Sequence, residues 1–410
     1  MPLFSTSVNF KSLPWGKIGS SIALIAGTTV GAGVLALPSV TFTAGVLPST
    51  ALLILVWGYT FFSGLLIAEV TVNHAQGDNE DQRVGLLGLT EQYLGKAWGQ
   101  IATLAFLFLH YSLLVAYVSE GGTTLQLILT DFLQLTHLIP NGLEIVAFVC
   151  LLGGLVAMGP KHLVARINTI LVGGVMLAFG GLLWAIATQL DLSQAAFINW
   201  KAASPAIPVM LVAMFYHNVI PVVTQRLSGE VWPIRMSLFF GSLIPLLMFL
   251  IWNGVVLCSV GLDGLSLGID PLDILREQIS SVSVNLWITL FSLLAVATSF
   301  IGVSYGLLNI FQDLLRQNDG NDEFNTLSIN ALVFVPPLGL CSLNPDLFIT
   351  ALSYAGTFSV ATLYGLLPAV LAWRSRYSDD GVAQHEAWTL GGRWFLSGMI
   401  AIPCLFILLG

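Results

Sequence analysis

Charge is scarce in this sequence. Only 9% of its 410 residues are Asp, Glu, Lys or Arg, against roughly 25% in a soluble domain. Such a chain cannot cover a globule with polar surface, so a water-soluble fold is excluded. Lys and Arg number 14 and nowhere cluster, which argues against a nucleic-acid partner. Cysteine is rarer still. The four (Cys150, Cys258, Cys341 and Cys404) all fall within apolar stretches, as small buried residues and not as a disulfide framework or metal site. No cofactor is expected. A cleavable leader is not expected either, because the first apolar run is long, is followed by more, and lacks a convincing cleavage site.

What the chain has instead is apolar length. Hydrophobic residues make up 56% and glycines number 40, and glycine serves close packing in membrane helix bundles. A spanning helix needs about 20 mostly apolar residues. By that measure the expectation is an all-α polytopic membrane protein of eleven spans, near 18–39, 48–71, 99–130, 143–158, 163–188, 206–227, 236–260, 285–315, 326–343, 346–373 and 393–409. Its outer face meets membrane lipid. The joints AGVLP at 44–48, MGPKH at 158–162 and SLNPD at 342–346 read as turns. The long polar insert at 73–98 reads as a cytoplasmic loop with a surface helix, or equally as a disordered one.

The distribution of positive charge sets the orientation. With the amino terminus in the cytoplasm, the inner segments hold Lys11, Lys17, Arg83, Lys96, Lys161, Arg166, Arg226, Arg235, Arg316, Arg374, Arg376 and Arg393. The outer segments hold Lys201 and Arg276, and twelve plus two accounts for all 14. Adding or removing one span scrambles this partition. The carboxyl terminus is therefore expected outside.

Span one contains IAGTTVGAGVLALP at 25–38, with Gly27, Thr28, Thr29, Gly31 and Gly33 crowded together. Each glycine costs a helix interior about 1 kcal/mol relative to alanine, and irregular backbone survives in a bilayer only where it is buried in protein or lines a cavity. A break here frees carbonyls on one side, such as those of Gly27 and Thr29, and amides on the other, where a second half-helix begins near Ala32 and Gly33. The freed carbonyls suit an ammonium group, and the positive helix end suits a carboxylate. One unwound turn thus fits a zwitterion with the charge pattern of an amino acid. The alternative is that Gly27 and Gly31, four apart, only let two helices approach closely.

Span six, AIPVMLVAMFYHNVIPVVTQ, carries Pro208, Pro221 and the polar run Tyr216-His217-Asn218 near its middle. Transporters built on inverted repeats interrupt corresponding helices in their two halves and hold substrate between them at the midplane. Spans one and six each open a group of five. A single transmembrane domain over 1–410 is expected, with repeats at 18–188 and 206–373 and an added helix at 393–409.

IAGTTVGAGVLALP resembles the first-helix signature of the tryptophan/tyrosine permeases, the hydroxy and aromatic amino acid permease family within the amino acid–polyamine–organocation superfamily. FYHNVIPVV resembles the sixth-helix signature, IPLLMFLIWNGVVL at 244–257 the seventh helix, and ATSFIGVSYGLLNIFQDLL at 297–315 the eighth. VPPLGLCSLNPDLFITALSYAGTF at 335–358 is similar to the ninth and tenth. The resemblance implies a leucine-transporter-type fold of two inverted five-helix repeats, and proton-coupled uptake of aromatic amino acids across a bacterial inner membrane. It places the substrate carboxylate at the amides of Gly31, Ala32 and Gly33, and the ammonium at the carbonyls of Gly27, Thr29 and Phe215. Thr28, Met214, Tyr216, His217 and Asn218 complete the candidate substrate site. The cation position of sodium-coupled relatives corresponds to Gly27, Val30, Ala295, Thr298 and Ser299, where two hydroxyls leave sodium open beside the proton. Glu120 stands where family members more often have a small residue.

Ionisable residues inside a span are costly and usually functional. His217 and Glu120 are the candidate proton carriers, with Thr298 and Ser299 as candidate ion ligands. A histidine that donates to a backbone carbonyl and holds the break open is the structural alternative for His217. Glu69 and Asp313, near cytoplasmic span ends, suit gate or salt-bridge roles. Arg166 is a candidate to snorkel inward. Phe215, Tyr216, Tyr111, Tyr117, Phe300 and Tyr305 are available to stack on a ring. The Gly302–Gly306 match to G-x-S-x-G falls in a long apolar helix, where a nucleophile elbow has no strand-to-helix turn to sit on, so no enzyme is expected. An amino-acid-sensing transceptor without net transport is the remaining alternative.

Overall fold

The fold is described from a computed structural model covering residues 14–75, 85–132, 142–260, 270–278, 282–319, 326–377, 387, 389 and 391–409. The polar run at 77–83 lies outside the described residues.

The structure is built from helices, and their order follows the apolar runs. α1 (Trp15–Thr29) and α2 (Gly33–Thr41) are the halves of one apolar segment, bent by 54°. α3 (Val46–Ala75) follows. The short α4 (Leu86–Leu94) occupies the polar insert, and Gly95 with φ of 90° turns the chain into α5 (Lys96–Leu127). α6 (Leu143–Met158) and α7 (Lys161–Ile186) meet at Gly159-Pro160, where a residue before proline is held extended. Span six is split into α8 (Ile207–Ala213) and α9 (Ile220–Arg226). α10 (Val231–Ser259), the eight-residue α11 (Pro271–Gln278), α12 (Val282–Asp319) and α13 (Thr326–Leu343) come next. The last apolar segments are α14 (Phe348–Tyr354), a π-helix at Ala355–Leu366, α15 (Leu367–Tyr377) and α16 (Arg393–Leu409).

Among the described residues, eight helices are long and apolar enough to cross a membrane, nine if the bent pair α1–α2 counts as one span. α6 and α16 are shorter apolar helices at the positions expected for spans four and eleven. The chain is a polytopic membrane protein.

α1 packs mainly along α10, and α7 mainly along α12, which also lies against α5. Aromatic side chains fill the interior behind them: Trp252 meets Phe291 at 5.3 Å between ring centroids, and Phe291 meets Phe179 at 5.7 Å. A buried charge is costly unless it is paired. The carboxylate of Glu69 in α3 is fully buried and accepts from Arg376 of α15, at 2.6 Å from Nε and 2.9 Å from Nη2. It accepts also from the amide and hydroxyl of Thr389. The long π-helix lies where span ten crosses span six. At its Gly356, a Cβ would fall on the carbonyl of Pro208, so only glycine permits that approach.

Candidate functional site

The break in span one is where the glycines place it. The Val30 amide still bonds the Ala26 carbonyl at 3.0 Å, while Val34 and Leu35 reach back only three residues, to Gly31 and Ala32. Val30 itself is extended, with φ of −76° and ψ of 97°. Among the described residues, the carbonyls of Gly27, Thr28, Thr29 and Val30 are left without a backbone partner, as are the amides of Gly31 and Gly33. The hydroxyls of Thr28 and Thr29 fold back onto the carbonyls of Leu24 and Ile25, both at 2.8 Å, so these threonines contribute main chain and not side chain to the gap.

The amide of Ala32 donates to the hydroxyl of Ser299 in α12 at 2.9 Å. The same hydroxyl lies 2.6 Å from where a Cβ on Gly31 would stand. Tyr117 of α5 is buried with its hydroxyl near Ser299. A hydroxyl oxygen therefore caps the amide that the break exposes. Gly33 faces span six: its Cβ would come within 3.0 Å of the Ala213 Cα. The two interrupted helices thus touch at their breaks.

In span six the Phe215 amide reaches back to Val212 at 3.3 Å, and regular bonding resumes only with Val219 on Tyr216 at 3.1 Å. The amides of Tyr216, His217 and Asn218 have no backbone partner among the described residues. His217 is fully buried, and its Nε2–H donates to the carbonyl of Thr60 in α3 at 3.1 Å. Its Nδ1 is buried with no partner among the described residues; the bond to a carbonyl requires a proton on Nε2. His217 and Phe215 both lie against Tyr364 of the π-helix, at 5.0 and 4.7 Å between centroids. Met214 is buried, and Asn218 is exposed.

The candidate ion residues do not form one cluster. His217 faces α3. Glu120, half-buried in α5, is within electrostatic reach of Asp270, Arg276 and Asp273 around α11, with Thr124 close by. Burial, with Asp270 nearby, holds the Asp273 carboxyl above the usual carboxylate range. The Thr298 hydroxyl donates to the Ala295 carbonyl at 3.0 Å. Arg166 is exposed. Of the stacking candidates, Tyr111 donates to the Leu332 carbonyl at 2.7 Å, and Phe300 packs between Phe148 and Phe334.

A cavity of about 140 Å³ opens beside the break, with Gly27 and Val30 on one wall and Thr298 on another. Its remaining walls are the apolar side chains of Ala26, Val172, Val175, Met176, Ile244 and Met248, which carry no signal of their own in so apolar a sequence.

The profile of the tryptophan/tyrosine permease family matches residues 16–409. The chain belongs to that family. This permease is 32% identical to the tyrosine-specific transport system 1 of Haemophilus influenzae, over 90% of its own length and 91% of the relative's. It is 31% identical to a tryptophan-specific transport protein of Pseudomonas aeruginosa, over 90% and 89%. It is 26% identical to the low affinity tryptophan permease of Escherichia coli, over 88% and 87%. It is a transporter and not an enzyme, and Ser304 of the G-x-S-x-G match lies inside the uninterrupted α12.

Proposed function

We propose that this permease imports tryptophan or tyrosine by proton symport, through alternating access of a site at the breaks of spans one and six. The observation that supports it best is the facing pair of breaks, with bare carbonyls at Gly27 to Val30 and the amides of Gly31 and Gly33 beside them. A zwitterion matches both ends. Its carboxylate displaces the Ser299 hydroxyl from Ala32, and its ammonium takes the carbonyls of span one together with that of Phe215. The names of the relatives, tyrosine-specific and tryptophan-specific, supply the aromatic side chain.

The architecture proposed with it has eleven spans in two inverted repeats of five and one added helix, amino terminus inside and carboxyl terminus outside. Spans one, two, six and seven rock against the rest. His217 is the favoured proton carrier, because Nδ1 is a buried acceptor with nothing to accept. Glu120 is the second carrier, placed toward the outer loop. The test is uptake of labelled tryptophan and tyrosine into proteoliposomes under an imposed pH gradient. Accumulation driven by the gradient is expected; no accumulation of any amino acid overturns the reading. Accumulation that needs sodium instead overturns the coupling alone.

A further inference from the structure

We infer that Tyr364, on the π-helix of span ten, is the positioning residue that couples substrate at the break of span six to the proton on His217. This rests on the proton symport proposed above and adds the side chain that links its two ligands. Among the described residues, Tyr364 is the ring in contact with both Phe215 and His217, at 4.7 and 5.0 Å between centroids. The proposed function gives the Phe215 carbonyl to the substrate ammonium and the His217 ring to the proton.

Tyr364 is held by main chain and side chain alike. Its carbonyl accepts from the hydroxyl of Ser63 in α3, and its side chain is buried. Ser63 lies one turn beyond Thr60, whose carbonyl accepts from His217. Neighbouring turns of α3 therefore fix both residues, and the contact between their rings closes the circuit. Span ten reaches span six a second time at Gly356, against Pro208 of α8. The backbone that carries both contacts is π-helical over twelve residues, Ala355–Leu366. Such helix is rare, mostly a single turn, and frequent at functional sites.

A proton arriving at Nδ1 makes the His217 ring a cation in a buried place, where an unpaired charge is costly. The titratable side chains in contact with that ring are Tyr216 and Tyr364. α1 and α9 also pack against this turn, but their ionisable residues, Lys17 and Arg226, stand at the ends remote from the breaks. On α3, the Tyr59 hydroxyl donates to the Met399 carbonyl instead. Stabilising the cation thus falls to the Thr60 carbonyl and to aromatic faces, which attract a cation within about 6 Å. The rings of Tyr364 and His217 meet at 31°, nearer parallel than edge-on, so Tyr364 offers its face. Close-packed interiors transmit small shifts. An ammonium drawing on the Phe215 carbonyl therefore moves the ring on which His217 rests. By linkage, the proton favours substrate as much as substrate favours the proton.

The experiment takes two readings from reconstituted full-length protein: exchange of labelled tyrosine without a gradient, and its accumulation under an imposed pH gradient. Tyr364→Leu removes the ring and Tyr364→Phe keeps it. The ratio of accumulation to exchange should fall about tenfold in Tyr364→Leu and hold at the wild-type level in Tyr364→Phe. A merely structural role lowers both readings together; an unchanged ratio in Tyr364→Leu overturns the inference. So does a loss in Tyr364→Phe equal to that in Tyr364→Leu, which would place the effect on the hydroxyl. Should Tyr364→Leu fail to fold, Ser63→Ala, which releases the Tyr364 carbonyl, should lower the ratio about threefold or more; a wild-type ratio there overturns the inference. A wild type that accumulates nothing under the gradient overturns the proposed symport itself, and this inference with it.

Discussion

Ser299 accepts a hydrogen bond from the amide of Ala32 at 2.9 Å, joining span eight to the first turn of the second half of span one. The hydroxyl satisfies a donor that the break exposes, at the amide to which the proposed function assigns the substrate carboxylate. Ser299→Ala leaves that amide unpartnered. Without ligand, stability should fall by about 1–3 kcal/mol, and saturating tyrosine should restore part of the loss. Thermal unfolding with and without tyrosine reads both effects.

The contact between the two breaks gives a second expectation. A Cβ at Gly33 comes within 3.0 Å of the Ala213 Cα, which is backbone and cannot swing away. Gly33→Ala should destabilise the protein by about 1–3 kcal/mol through overpacking. Gly27→Ala meets open space and should leave folding stability unchanged. Equal melting temperatures for the two variants contradict the contact.

His217 holds the break of span six to α3 through Thr60 and leaves Nδ1 free. His217→Gln keeps a donor for Thr60 but carries no titrating ring. It should fold, bind tyrosine and exchange it across the membrane, yet lose accumulation driven by a pH gradient. Gradient-driven accumulation at the wild-type level returns His217 to a purely structural role and leaves Glu120 to be tested in the same way.

Glu69 and Arg376 form a buried ion pair between α3 and α15, and Thr389 completes the carboxylate's bonding. Removing one partner strands the other in a dry interior. Arg376→Met or Glu69→Gln should each cost about 3–5 kcal/mol, and the double variant should cost less than the sum. Additive losses show that the two residues do not act as a pair.

Much of this was legible from residue pattern. The glycines of 27–33 marked the break of span one to within a residue, since α2 begins at Gly33. The prolines and the Tyr216-His217-Asn218 run marked that of span six. Both signals arise because a broken membrane helix needs residues that a regular one avoids. Glu69 was readable as a salt-bridge residue because an intramembrane carboxylate needs a partner; that the partner is Arg376, far along the chain, only folding decides. The cavity was not legible, because Val175 or Met248 looks like any lipid-facing or core residue. Nor was the Ser299 cap: one serine in a span is equally a back-bonded hydroxyl, as Thr298 is. The side chains of Thr28 and Thr29 fold back along their own helix, so only their main chain reaches the gap, which residue type alone does not tell.

The central claim is that bare main chain at two helix breaks grips both charged ends of one small molecule. Equilibrium binding to the purified protein tests it most directly, comparing tryptophan with tryptamine, which lacks the carboxylate, and with indole-3-propionate, which lacks the ammonium. Tyrosine, tyramine and 4-hydroxyphenylpropionate form the parallel set. Each truncated ligand should bind at least about tenfold more weakly than its parent, because a charged group left unmatched costs more than 1.4 kcal/mol. Either truncated ligand binding as tightly as its parent contradicts the account.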